Sequence, residues 1–84
     1  MKPIRMTKHA SEQAADRGAT ADEIREAIER GVREPAKRGR WLYRHNVQYG
    51  ALWRGEHYAI KQVAPVVAEE DDELVVVTVY TFYF

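Results

Sequence analysis

Residues Glu73–Phe84 read ELVVVTVYTFYF, and the two-residue period of this stretch decides the fold. As a strand it places Val75, Val77 and Val79 on one side and Thr78, Tyr80, Phe82 and Phe84 on the other. A side built only of β-branched residues suits packing against helices. Hydroxyls among aromatic rings suit contact with a ligand or a partner. Function is therefore expected on the sheet.

The same stretch contains the longest apolar run, Leu74 to Tyr83, interrupted only by threonines. It falls far short of the roughly 20 residues that cross a bilayer as a helix, so no membrane segment is expected. The absence of cysteine removes disulfides, thiolate metal sites and cysteine nucleophiles together. The opening MKPIRMTKHA has no apolar stretch of the secretory kind, and a cytoplasmic location is expected. At 84 residues, the chain predicts one small domain over residues 1–84 with a compact core.

The thirteen basic and thirteen acidic side chains cancel, which taken alone argues against a generic nucleic-acid binder. Their distribution is uneven. All the lysines and arginines precede Val63, leaving residues 1–62 at +5 and residues 63–84 at −5. The positive excess concentrates in segment 30–54, where Arg30, Arg33, Lys37, Arg38, Arg40, Arg44 and Arg54 meet only Glu34. This segment is a candidate polyanion surface.

Thr7 is placed to cap a first helix from Lys8 to Asp16 or Arg17, with Ala10, Ala14 and Ala15 as its packing side and Gly18 as its stop. Thr20–Glu23 spells a capping box, and Ile24, Ala27 and Ile28 follow at the spacing of one helical stripe that Gly31 ends. From there the pattern alternates, which reads as a sheet. Trp41, Tyr43 and His45 share one side of a strand, and Arg40, Leu42 and Arg44 share the other. Gly55-Glu56 is placed as a two-residue hairpin loop, Pro65 as a bend or bulge, and the acidic run 69–73 as the next turn. The fold expected is α+β: two N-terminal helices packed on a roughly four-stranded antiparallel sheet.

Nucleotide-cradling glycine motifs, a zinc-protease motif and a serine elbow are all absent, so no cofactor is expected. His9, His45 and His57 lie 36 and 12 residues apart without a patterned carboxylate, and no metal is expected either. On the first helix His9, Gln13 and Arg17 form an i, i+4, i+8 stripe able to grip a phosphate; the stripe reads equally as a solvated helix face. His45 and His57 are secondary candidates. Trp41, Tyr43, Tyr49 and Trp53 alternate with Arg38, Arg40, Arg44 and Arg54, the mixture of rings and charge used for single-stranded RNA, although tryptophans in so small a domain also serve as core. If Lys61 points the same way as Thr78 and Tyr80, the sheet displays a cation, a phenol and a hydroxyl together.

Thr7-Lys8-His9-Ala10 opening a helix, Arg17-Gly18 closing it, an isoleucine-bearing second helix ending at Gly31 and a final VVVTVY strand resemble a bacterial family of unknown function. In layout that family is similar to the small RelE-type and BrnT-type ribonuclease toxins of toxin–antitoxin systems. The resemblance covers nearly the whole chain and implies a RelE-like fold, metal-independent RNA cleavage and an antitoxin protein as partner. By position it selects His9, Arg17, Thr78 and Tyr80; Lys61, His45 and His57 are added from their chemistry. The zero net charge departs from the usual basic toxin.

The activity expected is an endoribonuclease that cleaves by attack of the 2′-OH. His9, with Tyr80 or His57, would transfer protons, while Arg17, Arg44 or Lys61 would supply charge to the phosphate. An alternative from another class is a non-catalytic RNA- or protein-binding module that uses the basic segment and the aromatic last strand. A third is a homodimer formed through that strand, with Phe82 and Phe84 at its centre.

Overall fold

The computed structural model describes residues Met1–Phe84. In chain order the elements are β1 (Ile4–Met6), α1 (Lys8–Arg17), α2 (Ala21–Arg30), β2 (Val32–Pro35), β3 (Trp41–Trp53), β4 (Glu56–Glu69) and β5 (Leu74–Tyr83), with a 3-10 turn at Lys37–Gly39. The strands lie in the order β1-β5-β4-β3-β2 in one sheet. This is the expected α+β class, with both helices on one side, but the sheet has five strands and is mixed. The extra strand is β1, which pairs parallel with the start of β5, Ile4 opposite Leu74 and Met6 opposite Val76. Its three residues, IRM, are too few to display an alternating pattern.

Both helices start and stop where their capping residues dictate. The Thr7 hydroxyl accepts from the Ala10 N–H at 3.1 Å, and the Thr7 N–H donates to Val76 O at 3.1 Å, which fastens the start of α1 to β5. At Thr20 both arms of the capping box are formed. Gly18 ends α1 at φ 78°, and a Cβ there would stand 2.7 Å from the Tyr83 hydroxyl and 2.8 Å from the Trp53 ring. Glycine is thus required twice over, by conformation and by space.

The core lies entirely between the helices and one side of the sheet. It joins Ala10 and Ala14 of α1, Ile24, Ala27 and Ile28 of α2, Val63 and Val67 of β4, and Leu74, Val76 and Val79 of β5. Ala19, just past α1, belongs to it, whereas the expected Ala15 is exposed. On the opposite side of the sheet only Ala64 and Val75 are buried, and neither belongs to this cluster.

The strands β4 and β5 do not keep one register. Val67 pairs with Val76 and Val66 with Thr78, so Val77 is an extra residue in β5. This bulge changes which side chains face the helices. Leu74 and Val76 do so before it, and Val79, Thr81 and Tyr83 after it; the expected grouping of Val75, Val77 and Val79 is therefore corrected. Pro65 sits beside the irregularity. The ladder to β3 pairs Val66 with Leu42 and Val63 with His45 but skips Pro65, which has no N–H to give. The β3–β4 hairpin turns on Arg54 (φ 49°) and Gly55 (φ 89°), one residue earlier than expected, and two left-handed residues fit the twist of a two-residue loop.

At the other end of the sheet, Arg5 donates two hydrogen bonds of 3.0 Å to Glu73, and Lys2 reaches Glu69 at 3.2 Å. The acidic run thus anchors β1. Hydrogen bonding to Arg5 holds the Glu73 carboxyl below the usual carboxylate range. No helix is long and apolar enough to cross a membrane.

Candidate functional site

On the side of the sheet away from the core lies a cleft of about 560 Å³. Its polar lining is His9, Lys37, Arg40, Thr78 and Tyr80; its apolar floor includes Leu42, Val66 and Val77. Four separate parts of the chain supply these groups. His9 comes from the capped first turn of α1, and Thr78 and Tyr80 follow the β5 bulge. Leu42 and Val66 are direct partners across β3 and β4. Lys37 and Arg40 come from the turn between β2 and β3. That turn is closed by Ala36 N–H to Arg40 O at 2.8 Å and Arg40 N–H to Lys37 O at 3.3 Å.

No carboxylate lines this cleft. Neither Lys37 nor Arg40 takes part in any of the ion pairs of the molecule. Two uncompensated cations beside an imidazole favour an anionic ligand. The next residues along the same side of β5, Tyr80 and Phe82, are each 43 % exposed. The Arg44 guanidinium lies 5.6 Å from the Phe82 ring while bonded to Glu34 at 3.0 Å and to Gln62 at 3.0 Å.

The rest of the helical stripe does a different job. Beyond Met6, β1 no longer covers β5, and α1 lies along the strand instead. There Gln13 Oε1 accepts from the Val79 N–H at 3.1 Å and from the Thr78 hydroxyl, and Arg17 Nη1 donates to Val79 O at 2.7 Å. These two side chains satisfy backbone groups at an open sheet edge. Arg17 still stands 5.3 Å from the Tyr80 ring centre, so of the stripe only His9 lines the cleft and Arg17 adjoins it.

Lys61 is not brought to the cleft. It pairs with Val47 and Tyr83, three residues from Tyr80, and strand alternation sends it to the helix side. There it is 5 % exposed, with Nζ 2.8 Å from Glu23 and 2.9 Å from Gly18 O. The Glu23 oxygen it meets is the one that completes the α2 capping box. The cation ties β4 to both helices.

The aromatic residues of β3 also lie on the helix side. Trp53 stacks on Tyr83 with ring centres 4.7 Å apart, and Tyr49 meets the same ring at 5.3 Å. Burial raises the Tyr83 phenol above its ordinary pKa. Trp41 lies beneath the Arg33 guanidinium at 3.9 Å, and Tyr43 packs against the core. The stacking surface expected from β3 is therefore occupied from within.

The basic segment divides rather than forming one surface. Arg40 reaches the cleft, and Arg44 adjoins its aromatic side. Arg38 is exposed in the left-handed turn position beside Lys37, at φ 63°. Arg54 is at the far hairpin, donating to Asp16 O at 3.0 Å. His45 Nε2 is 3.1 Å from Glu26, and His57 lines a separate depression with Tyr49 and Gly50. No group of three or more His, Cys, Asp or Glu is arranged to hold a metal ion. Lys37 is the polar lining residue that the sequence named only as one cation of the basic segment and not with the site; the turn between β2 and β3 brings it there.

A family model described as a domain of unknown function (DUF4258) matches residues 6–81, from the last residue of β1 to Thr81 within β5. No curated protein and no solved structure matches the chain.

Proposed function

The chain belongs to the DUF4258 family, and on the geometry of its open-side cleft we propose that it binds RNA there and cleaves it without a metal. The observation that carries this reading is the meeting of His9, Tyr80, Lys37 and Arg40 around one cleft without a carboxylate. The layout likeness to RelE-type and BrnT-type toxins belongs to the same proposal, as does an antitoxin partner.

The chemistry follows from the groups present. The His9 imidazole accepts the proton of a ribose 2′-OH as that oxygen forms a bond to the adjacent phosphorus. The bond from phosphorus to the 5′-oxygen breaks, and the Tyr80 phenol donates a proton to the departing oxygen. Arg40 and Lys37 stabilise the added negative charge on the phosphoryl oxygens. The products are a 2′,3′-cyclic phosphate and a 5′-hydroxyl. Thr78, already bonded to Gln13, orients the strand beside the reacting group, and Lys61 has no part.

The test is cleavage of a labelled single-stranded RNA by purified protein in chelator, with His9→Ala and Tyr80→Phe alongside. The reading expects a cyclic-phosphate product and a loss of about 10²-fold or more for either variant. Undiminished cutting by His9→Ala removes the catalytic assignment. RNA binding without cutting by the parent protein favours the non-catalytic binding module.

A further inference from the structure

Tyr80 and Phe82 of β5 and Phe84 just beyond it, still paired with Ile60 of β4, alternate in sequence, so their rings stand in a row on the open side, 43 %, 43 % and 57 % exposed. The Tyr80 and Phe82 ring centres are 6.4 Å apart, and their planes are only 23° from parallel. Stacked bases of one strand lie about 3.4 Å apart, so a base inserted between two rings needs them roughly 6.8 Å apart. Alternate residues on a strand carry their side chains at about this spacing, and the near-parallel planes of Tyr80 and Phe82 leave the pair close to it. Each ring also has a guanidinium in cation–π range, Arg17 at 5.3 Å from Tyr80 and Arg44 at 5.6 Å from Phe82.

We infer that this face takes single-stranded RNA, with one unpaired base inserted between Tyr80 and Phe82 and the adjoining phosphodiester lying by His9, Lys37 and Arg40. The inference rests on the RNA reading above and specifies the form of RNA. Duplex bases are already stacked and paired, so they have no face to offer the two rings. An apolar protein segment would cover the rings but leave the adjacent cations without counter-charge. A nucleotide chain offers both a flat base for the rings and a phosphate for the cations. The fit is to shape and charge, so sequence preference is expected to be weak.

The test measures binding of a labelled oligouridine, the same oligomer with abasic riboses at its centre, and a duplex of matched length, in chelator and at fixed salt. Phe82 is outside the proton-transfer groups, so Phe82→Leu and Phe82→Trp probe the slot, and Arg40→Ala probes the phosphate contact. The parent protein should bind the base-bearing single strand about tenfold or more tightly than the abasic strand or the duplex. Phe82→Leu should abolish most of that difference while Phe82→Trp keeps it, and Arg40→Ala should weaken all three ligands alike. Equal binding of base-bearing and abasic strands, still sensitive to Arg40→Ala, would overturn the slot and leave the RNA reading standing. No RNA binding by the folded parent would overturn both. A dimer that Phe82→Leu converts to monomer would assign the rings to a second copy and reject the inference.

Discussion

The two sides of the sheet use the same residue types for opposite ends. On the helix side, Lys61 is neutralised by Glu23, Tyr83 donates to Arg17 O at 2.7 Å, and Trp53 is stacked on Tyr83. On the open side, Lys37 and Arg40 have no counter-ion, Tyr80 is exposed, and His9 opens onto the cleft beside them. A lysine or tyrosine with all its interactions met within the protein holds the fold together. One left with free capacity at a concave surface is available to something else. Residue type alone therefore says little about role, and partnership decides it.

Substitutions on the two sides should separate stability from binding. The largest stability effect is expected for Ile24→Ala, which empties a position 1 % exposed at the centre of the core. Loss of about 2–5 kcal/mol should appear as a lower urea midpoint. Lys61→Met comes next, at about 1–3 kcal/mol. It leaves Glu23 and Gly18 O without their cation, but Glu23 keeps 22 % of its side chain in water, which moderates the penalty. If Lys61→Met left stability unchanged and abolished RNA cleavage, the division between the sides would fail.

Gln13→Ala should cost about 1–2 kcal/mol by uncovering the Val79 N–H, and amide hydrogen exchange at Val79 should accelerate. Arg40→Ala should change stability by less than about 0.5 kcal/mol and still weaken RNA binding, with a shallower dependence on salt. The smallest effect is at the β1 end. Because Arg5 lowers the folded pKa of Glu73, the pair stabilises the protein above the ordinary glutamate range, and that contribution fades as pH falls through the lowered value. Glu73→Gln should flatten this acid dependence in a denaturation series, and added salt should weaken it further because the pair is solvent-exposed.

Local chemistry was the readable part of the sequence. The Thr7 cap, the Thr20–Glu23 box and the Gly18 stop each act within a few residues, and α1 and α2 formed accordingly. The alternation in ELVVVTVYTFYF correctly sent Tyr80 outward and Val79 inward. It could not reveal the bulge at Val77, which arises from pairing with β4 beside Pro65 and exchanges the sides of the valines before it. The same limit applied to Lys61, whose side of the sheet depends on register with Tyr83 across two strands. Of the site, His9, Thr78, Tyr80 and Arg40 were named from sequence and come together. Their meeting with Lys37 depends on how the turn between β2 and β3 closes, which no periodicity encodes. Trp53 and Tyr49 looked like stacking groups because nothing in their own segment shows that Tyr83 will meet them.

The two sides of the sheet differ in availability, and one titration measures that difference directly. Single-stranded oligouridine added to isotope-labelled protein should shift amide resonances at His9, Lys37, Arg40, Thr78, Tyr80 and Phe82, while those of Trp53, Lys61 and Tyr83 stay in place. Shifts gathered instead around Trp53, Arg54 and Tyr83, or none anywhere at saturating RNA, would contradict it.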